Sequence, residues 1–384
     1  MRSRTEAVLA GLVVLALAGG CAGPATQRVS LEHPPPTVPS ESLAPSLPRV
    51  ATEGATPAVS SPAPVVPTLI PATSLAEPLA TAAPLAATDP PRFFLTARPP
   101  IFREVPGTKT SAVTPVRAAV NDAETGAFVA EVPLPPGVPS SWQLVAAAPD
   151  NRTFVLGGWT GSGKPFRFYR VRLDENGEPG EPELVPDTEP EPDHVTTMAL
   201  SRDGTRLAYA CAVVGGGTKV AVLDLATGQR RDWLTPSMIM GLAWAPDGRH
   251  LGAVGLGWGV GLLDLGAGGA DFKGASRLLR SYTEVPIPES IAFTPDGGAL
   301  LYSAGHNVVR LPVEGGEPQV VARLTLPASA SLSLRFSLDG TGRHLLCTHA
   351  WRAYRVDLTD GSTTSVPIDA GKRSGEGAPP VVAW

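Results

Sequence analysis

Three cysteines in 384 residues are too few for a disulfide framework. Charged residues make up only 17% of the chain, with 31 Lys and Arg against 36 Asp and Glu and a formal net charge of −5. No basic stripe stands out, so nucleic acid is not an expected partner. Aromatics are scarce at 6%. Nucleophile elbows of the Gly-x-Ser-x-Gly type, His-Glu-x-x-His helices and Gly-x-Gly-x-x-Gly strand–helix units are missing, and with them the usual signatures of hydrolases, zinc peptidases and dinucleotide enzymes. The apolar run Ala7–Ala18 is shorter than a membrane-spanning helix requires.

That run has another reading. Arg2 and Arg4 precede it and Gly19-Gly20-Cys21 follows, the order of a secretory signal: positive head, short apolar segment, small residues at the cut. Leu17-Ala18-Gly19-Gly20-Cys21 resembles the lipobox of bacterial lipoproteins, in which the cysteine is acylated and becomes the new N-terminus. Residues 1–20 are therefore expected to be a lipoprotein signal peptide and Cys21 a lipidation site, with ordinary cleavage near Ala22 as the alternative. Residues 21–91 hold 16 of the 42 prolines and no aromatic residue. Such a segment buries too little apolar surface to offset the entropy of ordering, so it is expected to be a disordered, semi-stiff tether. Aromatics begin at Phe93, and the folded domain is placed at 92–384.

Within that domain five similar stretches recur, centred on Asp150, Asp203, Asp247, Asp296 and Asp339. They lie roughly 40–55 residues apart, the size of a four-stranded propeller blade. Around Asp247 the unit reads Gly241–Trp244, the turn Pro246-Asp247-Gly248, then His250–Val254 and Gly259–Leu265. Pro presets φ, Asp bonds the backbone two residues on, and Gly accepts positive φ; a short apolar strand precedes each turn and an alternating one follows. A second turn signature trails each copy, as in AVLDLATG (221–228) and YRVDLTDG (354–361). A sixth, AAVNDAETG (118–126), lacks its upstream half. That half sits at the far end of the chain, where PPVVAW (379–384) matches the strand before each Pro-Asp-Gly turn. The expected fold is all-β: a six-bladed β-propeller closed by pairing of the last strand with the N-terminal part of the domain, seven blades being the alternative. Closure of this kind removes two free sheet edges.

Several stretches invite chemistry and lose it on inspection. Gly158–Lys164 has phosphate-loop spacing, but Pro165 stands where Ser or Thr would ligate magnesium and no helix follows, so it reads as a hairpin loop. His344, Cys347 and His349 alternate badly for a metal, because Cys347 and His349 share a strand face that His344 does not. The acidic stretch 174–193 is broken by prolines and has no calcium-loop frame. Cys211 and Cys347 fall in opposite blades and are expected to be buried thiols. No cofactor and no metal are expected.

One pattern goes further. Loops joining second to third strands share a rim with the loops joining blades, and several carry a ring: Trp159, Trp258, His306 and Trp351. Aromatics around one mouth suit a peptide or glycan contact; wedging between blades is the competing account. The Ser-Arg-Asp-Gly, Ala-Pro-Asp-Gly and Thr-Pro-Asp-Gly turns, each followed by an apolar strand, resemble those of bacterial TolB-type, WD-repeat-like propellers. A signal, a Pro-rich spacer and one propeller together also look like actinobacterial secreted lipoproteins. The resemblance covers about three-quarters of the chain and implies a fold and a protein-interaction platform, without transferring partners. The expected function is a membrane-tethered extracytoplasmic, non-catalytic scaffold or sensor. It would be monomeric, sit on the outer face of the bacterial cytoplasmic membrane or be secreted, and bind an envelope protein or peptide. The alternatives are an enzyme or binder acting on wall or extracellular carbohydrate, and a small-molecule sensor that uses the central channel.

Overall fold

The computed structural model describes residues 90–97, 101–104, 111–114, 117–135, 142–159, 166–186, 194–325, 334–349, 352–368 and 380–384. Cys21, the tether and Trp351 lie outside them. Every regular element among the described residues is a strand.

Chain order runs β1 (Phe93–Ala97), β2 (Ile101–Glu104), β3 (Ser111–Thr114), β4 (Ala119–Asp122) and β5 (Phe128–Glu131). Blade 2 follows with β6 (Trp142–Ala147), β7 (Thr153–Trp159), β8 (Phe166–Arg172) and β9 (Glu183–Leu184). Blade 3 is β10 (Val195–Leu200), β11 (Arg206–Ala212), β12 (Thr218–Asp224) and β13 (Arg230–Thr235). Blade 4 is β14 (Met238–Trp244), β15 (His250–Leu256), β16 (Gly259–Asp264) and β17 (Ser276–Ser281). Blade 5 comprises β18 (Ile291–Phe293), β19 (Ala299–Ala304), β20 (Asn307–Pro312) and β21 (Gln319–Arg323). Blade 6 comprises β22 (Leu334–Leu338), β23 (His344–His349), β24 (Arg352–Asp357) and β25 (Thr363–Val366), and β26 (Val381–Ala383) ends the chain.

Each blade is an antiparallel four-stranded sheet, and blade 1 is composite, in the order β26-β1-β4-β5. Its join is in register, with Leu95 opposite Ala383 and Ala97 opposite Val381. Innermost strands meet in a closed cycle, β6 to β10, β14, β18, β22, β26 and back to β6. The ring therefore has six blades, as the repeat count implies. The extra length in 93–132 that left room for a seventh is a hairpin, β2–β3, inserted between the second and third strands of blade 1.

The recurring turns are held as their composition requires. Asp247 accepts the N–H groups of Arg249 and His250, Asp150 those of Arg152 and Thr153, and Asp339 those of Arg343 and His344. Gly248 and Gly297 adopt positive φ, and Asn151, which stands where the other turns have Gly, does the same at 55°. Asn tolerates that left-handed region better than other side chains. Glycine has a second reason at blade boundaries: a methyl group on Gly342 would come within 2.1 Å of Pro295 Cγ in the preceding blade.

Apolar residues on both faces of each sheet pack against the neighbouring blades. Between blades 3 and 4 lie Trp233, Leu242, Trp244, Trp258 and Phe272. Polar groups bridge the same boundaries: Trp244 Nε1 donates to the Ala199 carbonyl at 3.0 Å, Thr196 Oγ1 to that of Ile239 at 3.0 Å, and Thr348 Oγ1 to that of Pro380 at 3.0 Å. Cys211 and Cys347 are free and buried, and burial pushes the Cys347 thiol up.

Candidate functional site: the central channel and the loop face

Successive antiparallel strands sort the connections onto two faces. The Asp turns and the third-to-fourth strand turns share one face; the blade-joining loops and the second-to-third strand loops share the other. The chain enters blade 1 on the Asp-turn face, where the Ala123 N–H bonds the Arg92 carbonyl and Arg92 Nη1 donates to the Glu175 carbonyl.

The sequence places four rings on the loop face; three fall within the described residues, and the structure treats these differently. Trp258, in the tight turn between β15 and β16, is not a surface ring. It is 7% exposed and meets Phe272 edge to face with centroids 5.1 Å apart. That is the wedge arrangement, and it removes Trp258 from the rim. Trp159 is the last residue of β7, paired in backbone register with Phe166 rather than standing in the loop. His306 sits in the turn between β19 and β20, its ring 5.4 Å from that of the buried His349 at 79°. Among the described residues no three His, Cys, Asp or Glu side chains converge as a metal site, so His344, Cys347 and His349 form no cluster. His344 instead closes a turn, with Nδ1 3.2 Å from Asp339 Oδ2 and Nε2 3.7 Å from Asp357 Oδ2.

Other apolar side chains do reach solvent on the loop face. Val214 in the β11–β12 loop is 86% exposed, and Tyr282 and Ile287 in the loop from blade 4 to blade 5 are 48% and 49% exposed. Met238, at the loop-face end of β14, is also exposed.

Through the middle of the ring runs a channel of about 260 Å³ lined by the six innermost strands. When the blades are aligned on the turn Asp, the residue four places before it is Ala146, Ala199, Ala243 and Ala292 in blades 2–5. The matching residue of blade 1 is Ala383, and in blade 6 it is Arg335. Five small side chains and one guanidinium thus occupy one level of the wall. Arg335 Nε lies 3.8 Å from Glu289 Oε2, on the approach to β18 in the neighbouring blade.

The backbone under this pair is fixed by hydroxyls. Ser303 Oγ accepts the N–H groups of Glu289 and Ser290 at 2.9 and 3.0 Å, and Ser290 Oγ accepts the Phe336 N–H at 3.1 Å. The second channel carboxylate, Asp339, is engaged by the Thr341 hydroxyl, two backbone N–H groups and His344. At the Asp-turn mouth Arg202 Nη1 donates to the Pro295 carbonyl two blades away, at 3.2 Å. Sequence reasoning missed Arg335 and Glu289. The signal was the alanine column, which becomes visible only once the repeats are stacked and that column is known to line the channel.

No protein-family model matches the chain, and comparison with curated proteins finds no match. Among solved structures it is similar to TolB from Acinetobacter baumannii, at 14% identity over 76% of this chain and 66% of that one, with a TM-score of 0.48. A putative TolB from Agrobacterium tumefaciens matches at 15% identity over 71% of this chain and 88% of that one, with a TM-score of 0.46. The periplasmic gluconolactonase PpgL of Pseudomonas aeruginosa matches at 19% identity over 71% and 82% of the two chains, with a TM-score of 0.45. The chain spans just under two thirds of the length of the Acinetobacter protein. At such identities a likeness concerns the fold alone. On its own strand pairing and closed cycle of inner strands, the chain is a six-bladed β-propeller.

Proposed function

We propose that the protein is an exported, lipid-tethered propeller scaffold that binds an envelope protein or peptide on its loop face without catalysing a reaction. The observation that carries this reading is the set of solvent-exposed apolar side chains on that face, Val214, Met238, Tyr282 and Ile287. Exposed apolar side chains gathered on one face form a contact surface where they join into a patch. Trp159 and His306 belong to the same face; Trp351, the fourth ring expected there, lies outside the described residues. The signal and lipobox pattern at Arg2–Cys21 supports export and anchoring.

Capture of a partner from cell-envelope extract tests the binding. A Val214→Asp/Tyr282→Asp variant should lose that partner while melting like the parent, since both residues are exposed; equal capture by the two proteins defeats the loop-face assignment. Cys21→Ala should release the protein into the medium, and an unchanged membrane location removes the anchor. Turnover of a wall glycan by the purified protein replaces the scaffold reading with the carbohydrate-enzyme one.

A further inference from the structure

We propose that a cavity between blades 4 and 5 binds a neutral sugar residue, with the Tyr302 hydroxyl, the Asn307 amide and Arg280 as donors and Glu284 as an acceptor. This goes beyond the loop-face protein contact and does not depend on it.

The cavity encloses about 510 Å³, within the range of small-ligand sites, and lies against the loop that joins the two blades. The most deeply buried side chain lining it is Tyr302, only 2% exposed. Its hydroxyl makes no hydrogen bond among the described residues. A buried phenol ordinarily has a partner, and leaving it without one costs free energy. Nothing in the sheet asks for that oxygen: Leu156 and Ala253 hold the matching place of the second strand in blades 2 and 4. Burial raises the Tyr302 pKa and the nearby Arg280 charge opposes the rise, so the phenol keeps its proton at neutral pH. Two further donors line the cavity. Asn307, from blade 5, accepts Arg323 Nε through Oδ1 at 3.3 Å, and its amide hydrogens have no partner among the described residues. Arg280, from blade 4, donates through Nη2 to the Gly316 carbonyl at 2.7 Å, which fixes the guanidinium and leaves other N–H groups. Glu284, also from the blade 4 side, is held by the Ser281 N–H, 2.8 Å from Oε2. Val285, Pro286, Pro318 and Val320 supply apolar wall.

The mixture of groups then selects the ligand. A carboxylate attracted by Arg280 would also meet Glu284 and Glu317, whose Oε2 lies 3.7 Å from Arg280 Nη2. An ammonium group drawn by those acids would meet Arg280 in turn, and like charges held close repel. A sugar carries no net charge, and each of its hydroxyls both donates and accepts. It can therefore take hydrogen bonds from the phenol, amide and guanidinium and give them to a carboxylate. The C–H faces of its ring suit the proline and valine walls, the usual pairing of apolar lining with a few placed polar groups.

The test uses the purified protein and ligand-observed NMR titration, with glucose, galactose, mannose and N-acetylglucosamine as probes. At least one should bind saturably. The uronate of the same sugar should bind about tenfold more weakly, and its 2-amino derivative no more tightly. Tyr302→Phe removes one oxygen that has no partner in the free protein. It should melt like the parent yet bind about three- to tenfold more weakly. Asn307→Asp keeps an acceptor for Arg323 and loses the amide donor, and should weaken binding by a similar factor. Equal affinity of the parent and Tyr302→Phe overturns the proposal, and so does a uronate that binds as tightly as its neutral sugar. The absence of a saturable response to all four sugars up to about 10 mM, the weakest range in which a specific site would register, overturns it as well.

Discussion

Removing Trp384 should cost the propeller more than its place at the edge of the sequence suggests. The indole is 4% exposed and packs with Phe94, Leu346 and Val382, across the boundary between blade 6 and blade 1. Truncating a buried Trp to Ala costs about 3–5 kcal/mol. In a domain this size each kcal/mol shifts the midpoint by about 2–4 °C, so Trp384→Ala should melt roughly 6–20 °C below the parent. Deleting 381–384 goes further. It removes buried Val382, worth about 1.5–3 kcal/mol, and the β26–β1 backbone pairing. Set against a total of about 5–15 kcal/mol for a folded domain, little native population should survive. Urea titration followed by circular dichroism gives midpoint and slope together, and melts at two scan rates guard against irreversibility. Phe128→Ala serves as the control: Phe128 is exposed on the outermost strand of the same blade, and its loss should stay within about 0.5 kcal/mol. A deletion variant with the midpoint and slope of the parent would refute closure by β26.

Trp258→Ala should lower stability by about 3–5 kcal/mol because its ring is packed on Phe272; a thermal midpoint equal to that of the parent would return Trp258 to the surface. Gly342→Ala and Gly305→Ala both force alanine into positive φ, at 72° and 60°, for about 1–2 kcal/mol each. Only Gly342→Ala adds a clash with Pro295, so in denaturant titration it should be clearly the worse of the two. Acid should weaken the fold through the turn aspartates. The Thr359 N–H and hydroxyl, with Arg343, hold the Asp357 carboxyl at about 2 against an ordinary 3.8, and the Thr125 hydroxyl lowers Asp122. Because the folded values lie below the unfolded ones, this stabilisation is complete above about pH 5, fades as pH falls through 4, and is gone below about 2. Melts at pH 7, 4.5 and 3 should therefore show a near-constant midpoint followed by a fall; a midpoint that rises on acidification contradicts the turn geometry.

Most of the architecture was written in local chemistry, which is why a reading of the chain could reach it. Asp and Gly at Asp203-Gly204, Asp247-Gly248 and Asp296-Gly297 specify turns through bonds that span only a few residues. Val381–Trp384 copies the strand before each such turn closely enough to reveal the composite blade. The β2–β3 hairpin was not legible, because it is a single insertion that no repeat echoes. The burial of Trp258 was hidden for a different reason: a ring in a two-residue turn looks exposed until Phe272, in the following β16–β17 connection, is folded over it. Arg335 lay in plain view, but its meaning depends on which face of an inner strand meets the channel, and that is set by the packing of all six sheets together.

The composite blade also orders events in time. β1 leaves the ribosome first among the strands and β26 last, so the first sheet begun is the last to be finished. Until then its inner edge offers unsatisfied backbone groups to any protease or neighbouring strand. A chain interrupted before Val381 never hides that edge in this way, whereas one that includes β26 does. The join thus makes concealment of that edge depend on synthesis having passed Val381–Ala383.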